Sequence, residues 1–487
     1  MEPLSPFLFA AATQRDRRRL ARLKQEGQIR PIGPRLYTSL REEEVPAAAR
    51  GAWATIVSGL FPGALISHRT ALEYVPSPEG IVFLTGNTNR RLSYPGLTIE
   101  FIRGPGPLAD DPAFLALRAS SVPRALLENL RAEPRTSTPR TVSIDDIERR
   151  LEQLLLGGGE EQLNRVRDRA REVAEELGWH APFAQLEGAI GALLGTRPLD
   201  RVMSAPAKAR AAGDPFDTSC LDRLTLLFGE LRTRDLPSTP DPFASAQHVR
   251  NKAFFESYFS NYIEGTTFEI EEAAEIIFDK KIPAQRPRDA HDIVGTFRLA
   301  SDPDEMRRVP SSSDELLDLL RSRHRTMLEQ RPEVKPGRFK ERQNRAGGTF
   351  FVHPQYVVGT LRHGYELLAD LEPGFSRAVF VMFLVSDVHP FEDGNGRIAR
   401  IMMNAEMTAA SASSMIIPTV YREDYLLALR ALTRQHRPTP VVDALARAAA
   451  FSRLDFSSYP RILAELRRRN WFEEPDEATI LTLDPAP

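Results

Sequence analysis

The sequence predicts a mainly helical protein of several domains, with β structure confined to an N-terminal region and one hairpin in the C-terminal half. Three observations carry this. Apolar residues recur at helical spacing through residues 141–231 and again from about 245 onward. Runs rich in β-branched residues and Phe, bounded by Gly, Asn and Pro, cluster between 41 and 130. Proline-rich punctuation then separates the segments. The 487 residues suit about three domains at ~150 residues each.

Residues 1–40 form the first module. A charged helix is expected over Gln14–Glu26, stopped by Gly27, followed by a short hairpin across Gln28–Tyr37. Residues 41–130 form a small α+β region. It should hold a helix near 45–60, a short helix at His68–Tyr74, and strands at Ile81–Thr85 and Leu97–Ile102. Arg131–Thr141 reads as a linker. Ser143 then N-caps a helix with Ile144, Ile147, Leu151, Leu154 and Leu155 on one face. Gly157-Gly158-Gly159 ends it, and helical pattern resumes from Glu160 to about Leu194. Residues 141–231 therefore read as a helical connector or dimerisation module, the latter making a homo-oligomer. Arg232–Pro242 carries three prolines and marks the next boundary. Residues 245–460 form the last domain, with Gly374–Val388 as its central buried helix and Arg342–Pro354 as a hairpin.

Composition excludes several classes. The 64 Lys+Arg against 66 Asp+Glu leave a net charge of −2, unlike a protein that coats nucleic acid or membrane everywhere. The longest apolar run, Ala378–Val385, is far short of the ~18 residues of a bilayer span. The N-terminal segment has its acid before the apolar run and its arginines after it. A secretory signal has the opposite order. Cys220, the single cysteine, excludes an internal disulfide, and the cytoplasm is the expected compartment.

The most informative residues are His389-Pro390-Phe391-Glu392-Asp393-Gly394-Asn395-Gly396-Arg397-Ile398-Ala399-Arg400. A His ends a buried helix, and Pro390 forces the chain out of it. Gly-Asn-Gly supplies a tight turn into a new helix starting at Gly396, an arrangement that binds anions. Arg397 and Arg400, spaced i, i+3, suit a polyphosphate. Asp393 at the rim suits Mg²⁺ bridging phosphate oxygens, and His389 is placed to take a proton from a hydroxyl. The chemistry is nucleotidyl or phosphoryl transfer. A Gly-Asn-Gly turn alone would mark only a helix–turn–helix corner.

This segment resembles the Fic family signature His-Pro-Phe-x-(Asp/Glu)-Gly-Asn-Gly-Arg-x-x-Arg at every position. The resemblance implies a Fic-type helical core with a β-hairpin flap that transfers AMP from ATP to a protein hydroxyl. It assigns His389 as general base, Phe391 as the residue packed beneath the loop, and Asp393 as the Mg²⁺ ligand. Gly394, Asn395 and Gly396 become the nest for the α- and β-phosphates, with Arg397 and Arg400 as phosphate-binding arginines. Fic-like kinases carry Lys at the position of Gly396, so glycine here favours AMP transfer. Upstream, Ser260, Glu264 and Gly265 fit the family's inhibitory pattern (Ser/Thr)-x-x-x-Glu-(Gly/Asn). An ion pair between Glu264 and Arg400 would take the guanidinium needed by the γ-phosphate. Gly347, Gly348, Thr349 and Phe350 match the flap tip, where an extended target segment adds as a strand. His324, His353 and His363 read as packing or surface residues.

Residues 15–37 resemble the end of a winged helix-turn-helix domain of the kind preceding AbiEi-type antitoxins, and Ser67–Tyr74 with its strands resembles the adjoining part. Residues 14–41 hold nine Lys+Arg against two Asp+Glu, a local footprint for DNA phosphates. Only residues 1–13 precede the helix, too few for the usual opening helix and turn. The expectation is an autoinhibited protein adenylyltransferase using ATP and Mg²⁺ on a protein substrate, itself included, with no membrane partner. Two alternatives are an AMP-removing enzyme of the same fold and a DNA-binding, antitoxin-like regulator whose Fic part senses nucleotide.

Overall fold

The computed structural model describes residues 4–10, 14–131, 139–237, 240–243 and 245–474. The chain divides into two compact units, Met1–Ala212 and Gly213–Pro487. Among the described residues, no helix is long and apolar enough to cross a membrane.

In the first unit the charged helix spans Gln14–Gln25, and Gly27 turns the chain with φ 69°. The expected hairpin forms from Arg30–Gly33 and Leu36–Thr38. A third strand, Phe7–Phe9, adds to the outer side of Leu36–Thr38. The residues ahead of the helix thus supply a strand where a helix-turn-helix would need an opening helix. The expected helix at 45–60 is two helices, Val45–Gly51 and Trp53–Leu60, broken at Ala52.

Strands Ile81–Gly86 and Leu97–Arg103 pair in parallel, because the intervening strand Arg90–Tyr94 turns back through Gly96 and takes the outer edge. Short strands Leu65–Ile66, Leu117–Ala119 and Ala113–Phe114 complete a six-stranded sheet. One core holds Phe7 and Leu36 together with Val45, Trp53, Leu84 and Ile99. Residues 1–40 and 41–130 therefore share a single apolar interior rather than forming two modules.

Ser143 caps the helix Ile144–Leu177 by accepting from Asp146 N–H, and Asp146 returns the bond to Ser143 N–H. The glycine triplet ends the first helix as expected: Gly159 leaves helical geometry (φ 68°, ψ −171°), and a second helix follows it to Leu177. Gly178 (φ 69°) then turns the chain into His180–Leu193. Leu126 and Leu127 share a core with Leu151, Val173 and Ile190, so these helices pack onto the preceding region. Most of the linker expected at 131–141 lies outside the described residues, as do residues 238–239 of the second linker.

The second unit begins earlier than the prolines suggested. Helix Thr218–Thr233 buries Cys220, Leu224, Leu227 and Leu231, and Arg223 donates twice to Asp387 at 2.7 and 2.9 Å. The proline-rich segment is a connection inside this unit, with Pro240 bridged to Ala412. The central helix Phe375–Val388 is buried on nearly every face, as its unbroken apolar sequence requires. Helices Ala246–Ile263, Asn395–Ala409 and Arg422–Gln435 form the walls that matter for the site. The unit also runs past 460: Tyr459 stacks on Phe255 and Trp471 packs on Phe259.

Candidate active site

The segment 389–400 connects the central helix to Asn395–Ala409. His389 takes a left-handed conformation (φ 53°, ψ 58°), costing roughly 1–2 kcal/mol for a residue with a Cβ. Pro390 cannot extend the helix. Gly394, at φ 76°, reverses the chain, and a Cβ there would press on Leu328 and Met327. Asn395 closes the loop with its side chain: Oδ1 accepts from Phe391 N–H at 2.8 Å and Nδ2 donates to Phe391 O at 2.9 Å. Phe391 is fully buried. The loop is held shut by its own sequence.

His324 braces it from beneath. Its ring stacks on Phe391 at 3.8 Å, Nδ1 accepts from Gly337 N–H at 2.9 Å, and Nε2–H donates to Asp393 O at 3.0 Å. Packing, one of the two roles the sequence suggests for His324, is part of what it does. Its bond to Asp393, 69 residues away, had no local signal.

His389 Nδ1–H donates to Ser386 O at 3.3 Å, so Nε2 keeps its lone pair. Burial pushes the imidazole pKa down to about 4, leaving the ring neutral at ordinary pH. Phe351 stacks on the same ring at 3.7 Å, a contact the sequence did not suggest. A cavity of about 370 Å³ opens here, with His389, Gly396, Arg400 and Glu264 in its lining.

Arg400 is buried and fully engaged. Nε donates to Ser260 Oγ at 2.9 Å, and Nη2 donates to Ser260 O at 2.8 Å and Glu264 Oε1 at 2.7 Å. The ion pair expected from the sequence is therefore present. Glu264 ends the helix Ala246–Ile263, and Gly265 (φ 92°) turns the chain away after it. A Cβ on Gly396 would overlap Glu264 Oε1, so the carboxylate lies on the first turn of Asn395–Ala409, where an anion is favoured. Burial works against the Glu264 charge, but Arg400 and then Arg397 outweigh it and hold the carboxyl below its ordinary range.

Arg397 does not line the cavity. Its Nη1 donates to Asp292 Oδ2 at 2.5 Å and Asn261 Oδ1 at 3.3 Å, because helix Pro287–Ala300 brings the buried Asp292 carboxylate under the loop. In this arrangement both arginines are held by protein groups, Arg397 by Asp292 and Asn261 and Arg400 by Ser260 and Glu264. Arg397 instead reinforces positive charge beneath Asp393, whose Oδ1 lies 3.5 Å from Nη2. Arg331 approaches Asp393 Oδ2 at 3.4 Å, and Gly394 N–H donates to Oδ1 at 2.6 Å.

The Asp393 side chain is 43% exposed, which leaves it open to solvent. No group of three metal-ligating side chains occurs among the described residues. One solvent-open carboxylate fits Mg²⁺, which usually keeps several waters and takes the rest of its shell from substrate phosphates.

The flap is a two-residue hairpin. Arg345–Ala346 pairs with Thr349–Phe350, and Gly347-Gly348 make the turn with Gly347 at φ 56°. Thr349 and Phe350 thus sit on the returning strand rather than at the tip. Gly347 and Thr349 line the cavity. Thr349 Oγ1 accepts from Arg434 Nε at 2.9 Å, while Phe350 is 66% exposed.

Residues 314–407 match the model of the Fic/DOC family. The protein adenylyltransferase fic-1 of Caenorhabditis elegans is 27% identical over 242 residues, 45% of this chain and 44% of that protein. The protein adenylyltransferase Fic of Nematostella vectensis is 25% identical over 248 residues, 50% of this chain and 57% of that protein. The chain spans about half the length of these relatives. A solved structure of Fic-1 residues 134–508 from C. elegans aligns at 19% identity with a TM-score of 0.37, covering 67% of this chain and 99% of that one. The loop that joins His389 to Arg400 lies inside the segment that matches the Fic/DOC family.

Proposed function

We propose that the chain is an autoinhibited protein adenylyltransferase, moving AMP from ATP to a Ser, Thr or Tyr hydroxyl of a protein, its own chain included. The observation that supports it best is the meeting, in one cavity, of a neutral imidazole, a helix N-terminus and a buried arginine occupied by Glu264.

The chemistry follows from that placement. A target segment adds along the flap and presents its hydroxyl near His389. The hydroxyl oxygen attacks the α-phosphorus of ATP, and its proton passes to Nε2. The bond from α-phosphorus to the bridging oxygen breaks, and pyrophosphate leaves. The product is a phosphodiester between AMP and the side-chain oxygen. Asn395 and Gly396 offer backbone N–H groups to the phosphates, with Gly394 making the turn that presents them, and Arg400 offers its guanidinium once Glu264 withdraws. Asp393 would hold Mg²⁺, which when bound neutralises phosphate charge.

In the resting arrangement Glu264 holds the guanidinium that the γ-phosphate needs, so ATP binds in an unproductive pose. Ser260 acts with it by fixing the guanidinium plane. The test is mass spectrometry for AMP adducts in a lysate given ATP and the Glu264→Gly variant. The reading fails if no protein, this one included, gains AMP above the level seen with His389→Ala in that background.

A second reading follows from the same cavity. Glu264 and His389 both line it, so a carboxylate is available to orient water for AMP removal. Release of AMP from a modified protein would separate the two reactions. A DNA contact through the exposed arginines of Gln14–Gln25 is a further element of the proposal. The lone cysteine, fully buried at Cys220, suits a cytoplasmic setting.

A further inference from the structure

We propose that Lys340 is a positioning residue for His389, gripping the main chain on both sides of the base and joining it to the root of the flap. Its role in catalysis rests on the AMP-transfer reading; its hold on His389 does not.

The left-handed backbone of His389 is disfavoured and needs restraint from its neighbours. Val388 O belongs to the last turn of the central helix, where carbonyls lack intrahelical partners. Lys340 Nζ donates to it at 3.2 Å. Lys340 N–H donates to Pro390 O at 2.8 Å. One residue therefore holds the carbonyl immediately before His389 and the one immediately after it. A cation at a helix C-terminus is also favoured by the helix dipole.

The same ammonium reaches the flap. Nζ donates to Asn344 Oδ1 at 2.8 Å, and Asn344 Nδ2 donates to Phe391 O at 2.9 Å. Asn344 directly precedes the flap strand Arg345–Ala346. Its carbonyl accepts from Phe351 N–H at 3.2 Å, and Phe351 stacks on His389. The circuit runs from Lys340 through Asn344 and Phe351 back to the base.

Lys340 is 3% exposed, and burial pushes its ammonium pKa down to about 7, with Cys220 and Asp217 the groups that counter it. Its charge disfavours the imidazolium form of His389, while Glu264 and Asp393 favour it. Position and electrostatics therefore act together.

The test uses the full chain in the Glu264→Gly background. Lys340→Met removes the ammonium, and Lys340→Arg keeps charge and donors. Lys340→Met should lower kcat about 10- to 100-fold, change ATP affinity less than about 2-fold, and raise the pH at which His389 titrates by about one unit. That titration is read from ¹³C-labelled imidazole NMR, with the signal assigned by His389→Ala. Lys340→Arg should restore most of both effects.

An unshifted His389 titration together with an unchanged kcat overturns the proposal. If the Glu264→Gly parent transfers no AMP, the functional reading fails, and the NMR titration alone still decides the hold on His389. If Lys340→Met does not fold, Asn344→Ala replaces it. That variant should lower kcat and leave the His389 titration in place, and an undiminished kcat overturns the link to the flap.

Discussion

The Glu264 carboxylate rests against Gly396, in the space that a Cβ on that residue would fill. It also bonds Arg400, one turn further along the same helix, at 2.7 Å. Glu264 thus lies over the first turn of this helix and holds its guanidinium, the two places where the helix start would draw an anion. As proposed above, inhibition by this contact would act on the pose of the nucleotide rather than on its affinity.

Glu264→Gly should raise AMP transfer by ~10-fold or more while shifting ATP affinity only modestly. An Arg400→Ala change in the Glu264→Gly background should return activity to background. Isothermal titration with ATP and a radiolabel transfer assay check the two parts. Because Arg400 holds the Glu264 carboxyl below its ordinary pKa, the ion pair is complete above pH ~4.3 and weakens only as pH falls through the lower folded value. Wild-type activity should therefore stay low across pH 6–9. A wild-type enzyme that becomes active on mild acidification to pH 6 would contradict this.

Gly396→Ala separates the two attractions. In the wild-type chain the new methyl displaces the carboxylate, yet it occupies the ground a phosphate needs. Activity should not rise, and in the Glu264→Gly background the same change should lower kcat/KM for ATP by ~10-fold or more. Equal kcat/KM with alanine would mean that nucleotide phosphate does not approach this turn.

His389→Ala should cost ~10²–10⁴-fold in transfer and leave ATP affinity nearly intact, since the nest and Arg400 are untouched. The pH profile is the sharper measurement. Burial lowers the His389 pKa to about 4, so in the Glu264→Gly enzyme the acid limb of kcat/KM should fall near or below that pH rather than near 6.5. The direction for folding is the same. A histidine whose folded pKa is depressed contributes stability that is complete above ~6.5 and is lost as pH falls toward the folded value. A limb at 6.5 would show a solvated imidazole and refute the burial argument.

What could be read in advance was whatever is contiguous. The segments 389–400 and 260–265 place their functional atoms within a few residues, so spacing alone describes most of the loop. The restraints on that loop come from elsewhere in the chain. Lys340, Asn344, His324 and Asp292 act across 47 to 105 residues, and nothing around them in sequence marks a partner. The β-sheet illustrates the same limit. Strands Leu65–Ile66 and Ala113–Phe114 have two residues each, too short for alternation to show, and they exist because neighbouring strands pair with them. Pro-rich punctuation misled at Arg232–Pro242, where the apolar face of Thr218–Thr233, not the prolines, decides which unit the helix joins.

The N-terminal helix gives the last prediction. Arg15, Arg18 and Arg19 are exposed on Gln14–Gln25, and the three-stranded sheet behind them packs into the core through Phe7 and Leu36. Deleting residues 1–40 would open that core and confuse folding with binding. The cleaner variant is Arg15→Ala, Arg18→Ala and Arg19→Ala together, which touches only solvated side chains. If this face holds DNA, binding should weaken steeply with salt, and the triple variant should flatten the slope of log K against log salt by about one per lost phosphate contact. AMP transfer by the same variant should be unchanged, because the site is built wholly within the second unit. Fluorescence anisotropy on a labelled duplex from 50 to 200 mM salt, roughly the range over which such contacts release their counterions, measures the slope. No binding at the lowest salt would make this helix a solvated face with no nucleic-acid role.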